Sequence, residues 1–313
     1  MKKTSPIIAI TLAAFLLVTS LSGCITINLG PSQPSPSPMP TEILIPTATE
    51  APAPVGLTEE RLLNAEILSP LLQEQVKLVN GEFSRKIAET DLNVKVYPGV
   101  QFGDLNADGV DDAALILAEN TGGTGNFYSL VVFYSMEGHF AQTQGEMIDD
   151  RPIIESLTIE DGKVKLHALV HAINDSMADP TTRMHADYTL LEGQLVKTRL
   201  ETAFGGGEMR IINIDSPVAG ERASSSLRIT GSMAIAPFEN NLSLEIRDLQ
   251  NNILFQDGFM VSSMDLGGPA TFDNTVMLPV MPAGTPFLIV LSELSMMDGS
   301  PMVLNSVQLI AGE

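Results

Sequence analysis

The residues with the clearest chemical potential lie between Gly103 and Asp112, where the chain reads Gly-Asp-Leu-Asn-Ala-Asp-Gly-Val-Asp-Asp. Calcium takes a cage of hard oxygen ligands, and alternate side chains of a tightly wound loop can supply them. Asp104, Asn106 and Asp108 stand at the first, third and fifth positions, Gly109 permits the sharp turn, Val110 offers a carbonyl, and Asp112 falls ninth. Carboxylates crowded in this way repel one another unless a cation sits among them. The spacing therefore predicts a structural calcium ion, with an affinity of about 10⁻⁴ to 10⁻³ M typical of extracellular modules. A solvated Asp-Gly turn is the plainer alternative. The twelfth position, where an EF-hand places a bidentate Glu, is Leu115, so the loop is not an EF-hand.

The segment resembles the strand-flanked calcium loops of integrin-type β-propeller repeats, which close with an Asp at the ninth position and run on into a strand. Asp112 to Leu117 has that strand character. A propeller would repeat the motif, and this chain has one copy, so the resemblance covers the loop alone.

Other candidates carry less. His167 and His171 would pair as zinc ligands on a helix, but the surrounding alternation is that of a strand. There they lie about 13 Å apart at about 3.3 Å per residue. With Lys163 and Lys165 they read as a solvated face. His139 and His185 have no carboxylate or nucleophile beside them in sequence. Gly122-Gly123-Thr124-Gly125 lacks the Lys and following helix of a phosphate cradle and reads as a hairpin loop. No Gly-x-Ser-x-Gly elbow and no His-Glu-x-x-His occurs. The chain has no Trp, which weakens the case for a stacked sugar platform. No catalytic residue is assigned.

The elements that must position the acidic loop are mainly β. Thr58 reads as the N-cap of a short helix with Glu59 and Glu60 in its first turn. Asn80-Gly81 has the composition of a type I′ hairpin turn, with Val76–Val79 and Glu82-Phe83 as its arms. Glu137-Gly138, Asp161-Gly162 and Glu192-Gly193 are further turns between strand-like runs. Val164, Leu166, Ala168 and Val170 share one face of a strand; Met184, Ala186, Tyr188 and Leu190 share one face of another. Phe127 to Tyr134 is apolar almost throughout, as expected for the middle of a sheet.

Gly205-Gly206-Gly207 breaks the pattern, and a domain boundary is placed there. The expected fold is thus an antiparallel β domain with a short helix at 57–204, followed by an immunoglobulin-like β-sandwich at 208–313. The sandwich rests on about seven short strands in about 100 residues: Ile211–Asp215, Leu227–Gly231, Leu242–Arg247, Ile253–Val261, Thr271–Leu278, Phe287–Leu291 and Ser306–Ile310.

This second region resembles the immunoglobulin-like domain of bacterial spore germination. The resemblance rests on Ile214-Asp215-Ser216-Pro217 with Gly220, Leu227 to Gly231, Phe238-Glu239, and Ser295 with Asp298-Gly299-Ser300. It implies a sandwich fold and no catalytic role; the module is also appended to assorted surface lipoproteins. The family often has a glycine where Asn251-Asn252 stands, a place Asn can fill because it tolerates positive φ. The first region faintly resembles uncharacterised bacterial lipoproteins that carry a Cys pair near a loop such as Asp175–Pro180; no cysteine stands there in this chain.

The N-terminus supplies an address. Met1-Lys2-Lys3, an apolar run from Ile7 to Val18, and Leu21-Ser22-Gly23-Cys24 are the parts of an export signal, too short for a comfortable transmembrane span. The ending resembles the lipobox of bacterial lipoproteins, which implies cleavage after residue 23, acylation of Cys24, and a membrane-anchored chain facing the extracytoplasmic side. Acyl chains in pairs or threes anchor stably where one does not. Residues 24–56 then form a linker in which Pro31 to Pro54, extended as polyproline II, would reach on the order of 70 Å.

Cys24 is the sole cysteine, so the body can contain no disulfide of its own. Losing Lys2 and Lys3 with the signal takes the formal charge from −21 to −23, which argues against nucleic-acid partners. The expected function is a non-enzymatic envelope or surface module that binds a protein or polymer. The rival is an envelope-polymer hydrolase, or its accessory, using Asp104, Asp108 and Asp112 as an open metal site. A solute-binding lipoprotein fits less well, because alternating βα patterns are missing.

Overall fold

The computed structural model describes residues 56–136, 138–205, 207–265 and 267–313. Cys24, the lipobox and the Pro-rich segment lie outside the described residues.

A single turn of helix, α1 (Glu59–Leu63), opens the fold where Thr58 caps it, its Oγ1 accepting from Arg61 N at 3.3 Å. The first group of strands is β1 (Glu66–Ser69), β2 (Glu74–Lys77), β3 (Glu82–Ile87), β4 (Thr90–Val96), β5 (Gln101–Gly103), β6 (Asp112–Asn120), β7 (Phe127–Met136), β8 (His139–Gln142) and β9 (Glu146–Asp150). Four long strands follow: β10 (Ile153–Glu160), β11 (Lys163–Val170), β12 (Thr182–Leu191) and β13 (Gln194–Phe204). The remainder is β14 (Glu208–Arg210), β15 (Ile212–Ser216), β16 (Arg222–Ala223), β17 (Ser226–Met233), β18 (Asn241–Arg247), β19 (Ile253–Met260), β20 (Ser262–Ser263), β21 (Ala270–Met277), β22 (Pro286–Leu294) and β23 (Pro301–Ala311).

These strands make a small β1–β2 ribbon and three sheets. A 7-stranded sheet runs β3-β4-β6-β7-β8, with β5 on β6 and β9 on β7. A 10-stranded sheet runs β10-β11-β12-β13-β23-β22-β18-β19, with β14 and β16 attached, and a 4-stranded sheet runs β15-β17-β21-β20. All pairings are antiparallel except β16 on β23.

The period-2 patterns translate directly into layers. On β6, Ala113, Leu115 and Leu117 pack with Leu62, Ile67, Val76 and Leu78 in a core beneath α1 and the β1–β2 ribbon. Ala114 and Ile116, between them in sequence, point the other way and join Leu130, Val132, Val164, Leu166, Ala186 and Tyr188 between the two large sheets. β22 repeats the arrangement. Leu288 and Val290 enter that same middle core, while Phe287, Ile289 and Leu291 enter a third core shared with Ile229, Leu244, Phe259 and Phe272. Phe259 and Phe272 meet edge-on there, with centroids 5.4 Å apart. Strands buried on both faces read as unbroken apolar runs, and both β6 and β22 do so.

The expected mainly β fold is therefore present; five of the seven expected C-terminal strands fall within two residues of β15, β17, β18, β19 and β21, and the last two lie inside the longer β22 and β23. Two details differ from the sequence reading. Asn80 and Gly81 do turn the chain with φ of 53° and 83°, but only Val79 and Glu82 bridge across them. β2 pairs with β1 and β3 with β4, because both arms of the turn find longer partners elsewhere. Gly205 and Gly207 lie in the turn of the β13–β14 hairpin, where Phe204 pairs with Glu208. The large sheet does not stop there, since Arg199 and Leu200 of β13 pair with Asn305 and Leu304 of β23.

Candidate functional site

The acidic loop spans β5 to β6, which are paired through Gly103 and Asp112 and so bring its ends together. Ala107 and Gly109 take positive φ, 60° and 82°, and wind the chain tightly between them. Asp104 reaches over the turn: Oδ1 accepts Asp108 N at 3.2 Å and Oδ2 accepts Gly109 N at 2.9 Å. Asn106 Oδ1 accepts Asp108 N at 3.1 Å, and Asp108 Oδ1 accepts Val110 N at 2.8 Å. Three side chains thus curl inward on the loop's own amides.

β7 supplies the wall. Ser135 donates its hydroxyl to Asp108 Oδ2, and its carbonyl accepts from Asn106 Nδ2 at 3.0 Å. Asp112 is fully buried, with Oδ2 taking Leu105 N and Oδ1 taking Ser135 N, each at 2.8 Å. The hydroxyl of Ser135, followed by the Val110 amide, holds the Asp108 carboxyl below its ordinary pKa. Burial pushes Asp112 upward against the pull of its two amides, and the nearby charges of Asp108 and Asp104 push the same way.

Hard oxygen donors at Asp104, Asn106 and Asp108 suit calcium by chemistry, but Asp108 Oδ2 already accepts from both Ser135 Oγ and Asn106 Nδ2. They do not form a closed cage. Among the described residues, no three His, Cys, Asp or Glu side chains are gathered as a metal would hold them. Asp112 differs most from the expected ligand, because both its oxygens brace backbone rather than face the loop interior.

The histidines are arranged differently from the sequence reading. β11 ends at Val170, so its alternation does not carry His171 onto the solvated face. His171 turns inward instead; its N–H donates to Asp149 Oδ2 at 2.6 Å and Nδ1 lies 2.8 Å from the same oxygen, while the buried Nε2 has no partner. His167 and His185 are direct cross-strand partners with stacked rings, a juxtaposition that only the β11–β12 register reveals. His185 does have a carboxylate beside it, Glu201 of β13, at 3.7 Å. The Gly122–Gly125 segment is the expected hairpin loop between β6 and β7, pinned by Asn120, whose Oδ1 accepts Gly122 N at 2.7 Å. Asp175 closes the 171–181 loop by accepting the amides of Ala172 and Thr181, each at 2.8 Å.

With the layers in place, the third core and its two facing sheets have the build of an immunoglobulin-like sandwich. Residues 211–300 match the family of the immunoglobulin-like domain of bacterial spore germination. The match takes in β15 through β22 and the turn that follows, stops short of β23, and leaves the acidic loop outside. No curated protein matches the chain. Among the described residues, no helix is long and apolar enough to cross a membrane.

Proposed function

We propose that this chain is an envelope or cell-surface lipoprotein, anchored through acyl chains on Cys24, that works as a non-enzymatic binding and structural module. The observation that carries this reading is the immunoglobulin-like segment at 211–300, a kind of module whose sheets offer faces and edges for contact rather than a catalytic cleft. The sequence before it adds an export signal, a lipobox and a Pro-rich stalk that would hold the β body away from the membrane. The partner is an envelope protein or polymer, and the acidic surface makes nucleic acid a poor one.

Calcium has a structural part in this reading. Asp104, Asn106 and Asp108, with the carbonyl of Val110 and the buried charge of Asp112 behind them, would hold the ion. The bound cation would relieve carboxylate repulsion in a body that has no disulfide to stiffen it.

Metabolic labelling with palmitate tests the anchor. The native chain should take up label and fractionate with membranes, and Cys24→Ser should do neither. A screen of the purified chain against envelope polymers tests the absence of catalysis. Turnover that required Asp104 or Asp112 would replace the binding module with a metal-dependent hydrolase.

A further inference from the structure

We propose that His167 and His185 form a chelating site for a divalent transition metal of the zinc, nickel or copper class, on the polar face of the large sheet and separate from the acidic loop. The two residues are register partners on β11 and β12, and their ring centroids lie 4.0 Å apart with 26° between the planes. Neighbouring positions across a sheet place Cβ atoms about 4.5–5.5 Å apart, a spacing that lets two imidazoles share one ion.

The nitrogens are available. The His167 imidazole has no hydrogen-bond partner among the described residues, and its ring stacks on that of His185. His185 directs Nδ1 toward Glu201 Oε2 at 3.7 Å, which leaves Nε2 open. Glu201 is itself steadied, because its Oε1 accepts Arg199 Nε at 2.6 Å. At 3.7 Å the approach of His185 to Glu201 is a charge contact beyond hydrogen-bond reach, and it leaves the His185 tautomer unset.

Two nitrogens at about 2.0–2.1 Å from a tetrahedral zinc stand roughly 3.3 Å from each other. The rings are stacked with 4.0 Å between their centres, so their in-plane lone pairs run side by side, and at least one ring must leave the stack by turning about χ2, a broad torsion, for both to meet one ion. Imidazole pairs select zinc, nickel and copper over calcium, which prefers oxygen. Of the carboxylates around the pair, Glu155 is already matched by Arg183 and Glu201 by Arg199, so the imidazoles supply the attraction for the ion.

Calorimetric titration of the full-length chain with Zn²⁺, in excess Ca²⁺ to occupy the acidic loop, tests the proposal. One site is expected whose midpoint weakens at least about tenfold in both His167→Asn and His185→Asn. Asp108→Asn should leave that midpoint unchanged, and Glu201→Gln should weaken it less than loss of either imidazole does. The ring proton resonances of His167 and His185 should shift on zinc addition, and those of His139 and His171 should not. Zinc binding that survives both histidine substitutions, or that disappears in Asp108→Asn, overturns the proposal. So does the lack of any binding at millimolar zinc.

Discussion

Asp112 Oδ1 accepts the backbone amide of Ser135 at 2.8 Å, and that bond ties the start of β6 and the end of the acidic loop to β7. The other oxygen does the same for Leu105, at the head of the loop. One buried carboxylate therefore closes the loop on both sides. Replacing it by Asn turns one acceptor into a donor facing a buried N–H. Asp112→Asn should cost about 1–3 kcal/mol, the penalty of a buried group left unpaired, read as a lower midpoint in urea unfolding.

Calcium should raise the melting temperature of the native chain in proportion to RT ln(1 + [Ca²⁺]/Kd), as any ligand of the folded state does. The same additions should leave Asp108→Ala where it was. Differential scanning fluorimetry at stepped calcium concentrations measures both. A calcium shift of equal size in the variant would remove the loop from the account.

Acid should weaken the fold through His167. Its folded pKa lies below the ordinary value of 6.5, first through burial and then through His185, so the native state holds fewer protons than the unfolded chain in this range. Stability from this group is present above the unfolded pKa and is lost as pH falls from there toward the folded pKa. The unfolding midpoint should therefore drop between neutral pH and the histidine range, and His167→Gln should flatten that part of the profile.

Arg210 and Glu293 form an ion pair in which both side chains are almost wholly buried, with the guanidinium also 4.3 Å from the ring centre of Phe204. Removing one partner strands the other charge out of water. Arg210→Met or Glu293→Gln should each cost about 3–5 kcal/mol, and a double replacement by apolar residues of similar volume should recover much of the loss. A double-mutant cycle on chemical unfolding gives the coupling.

Leu288 and Ile289 are neighbours in sequence that serve different cores. Ala at either position should cost about 2–5 kcal/mol. Because one strand carries both, circular dichroism should show a single transition displaced in each variant, not the loss of one region alone.

What could be read in advance followed from periodicity. The alternation in β11 and β12 named the buried residues Val164, Leu166, Met184, Ala186 and Tyr188, because side chains on a strand have only two directions to point. The C-terminal strands were legible for the same reason, helped by turns such as Asp248–Asn252, where Asn251 takes φ of 65°. Register was not legible. Nothing local says that His167 faces His185 and Glu201, since those partners lie 18 and 34 positions away and depend on where a long loop lets β12 return. The Gly-rich tripeptide at 205–207 has the same composition whether it links bodies or turns a hairpin, and only the pairing of β13 with β23 distinguishes the two. In the acidic loop, spacing gave the donors at Asp104, Asn106 and Asp108. It could not show that Asp112 would be taken by backbone amides.

The order of the large sheet has a consequence for how the molecule can be made. β23 sits between β13 and β22, yet it leaves the ribosome after every strand it joins. Until it emerges, the free edge of β13 and one edge of β22 stay open, and Leu200 and Leu288 lack a neighbour. A nascent chain paused just short of residue 301 would thus carry two unmatched, adhesive margins, and completion of a single segment would quench both together.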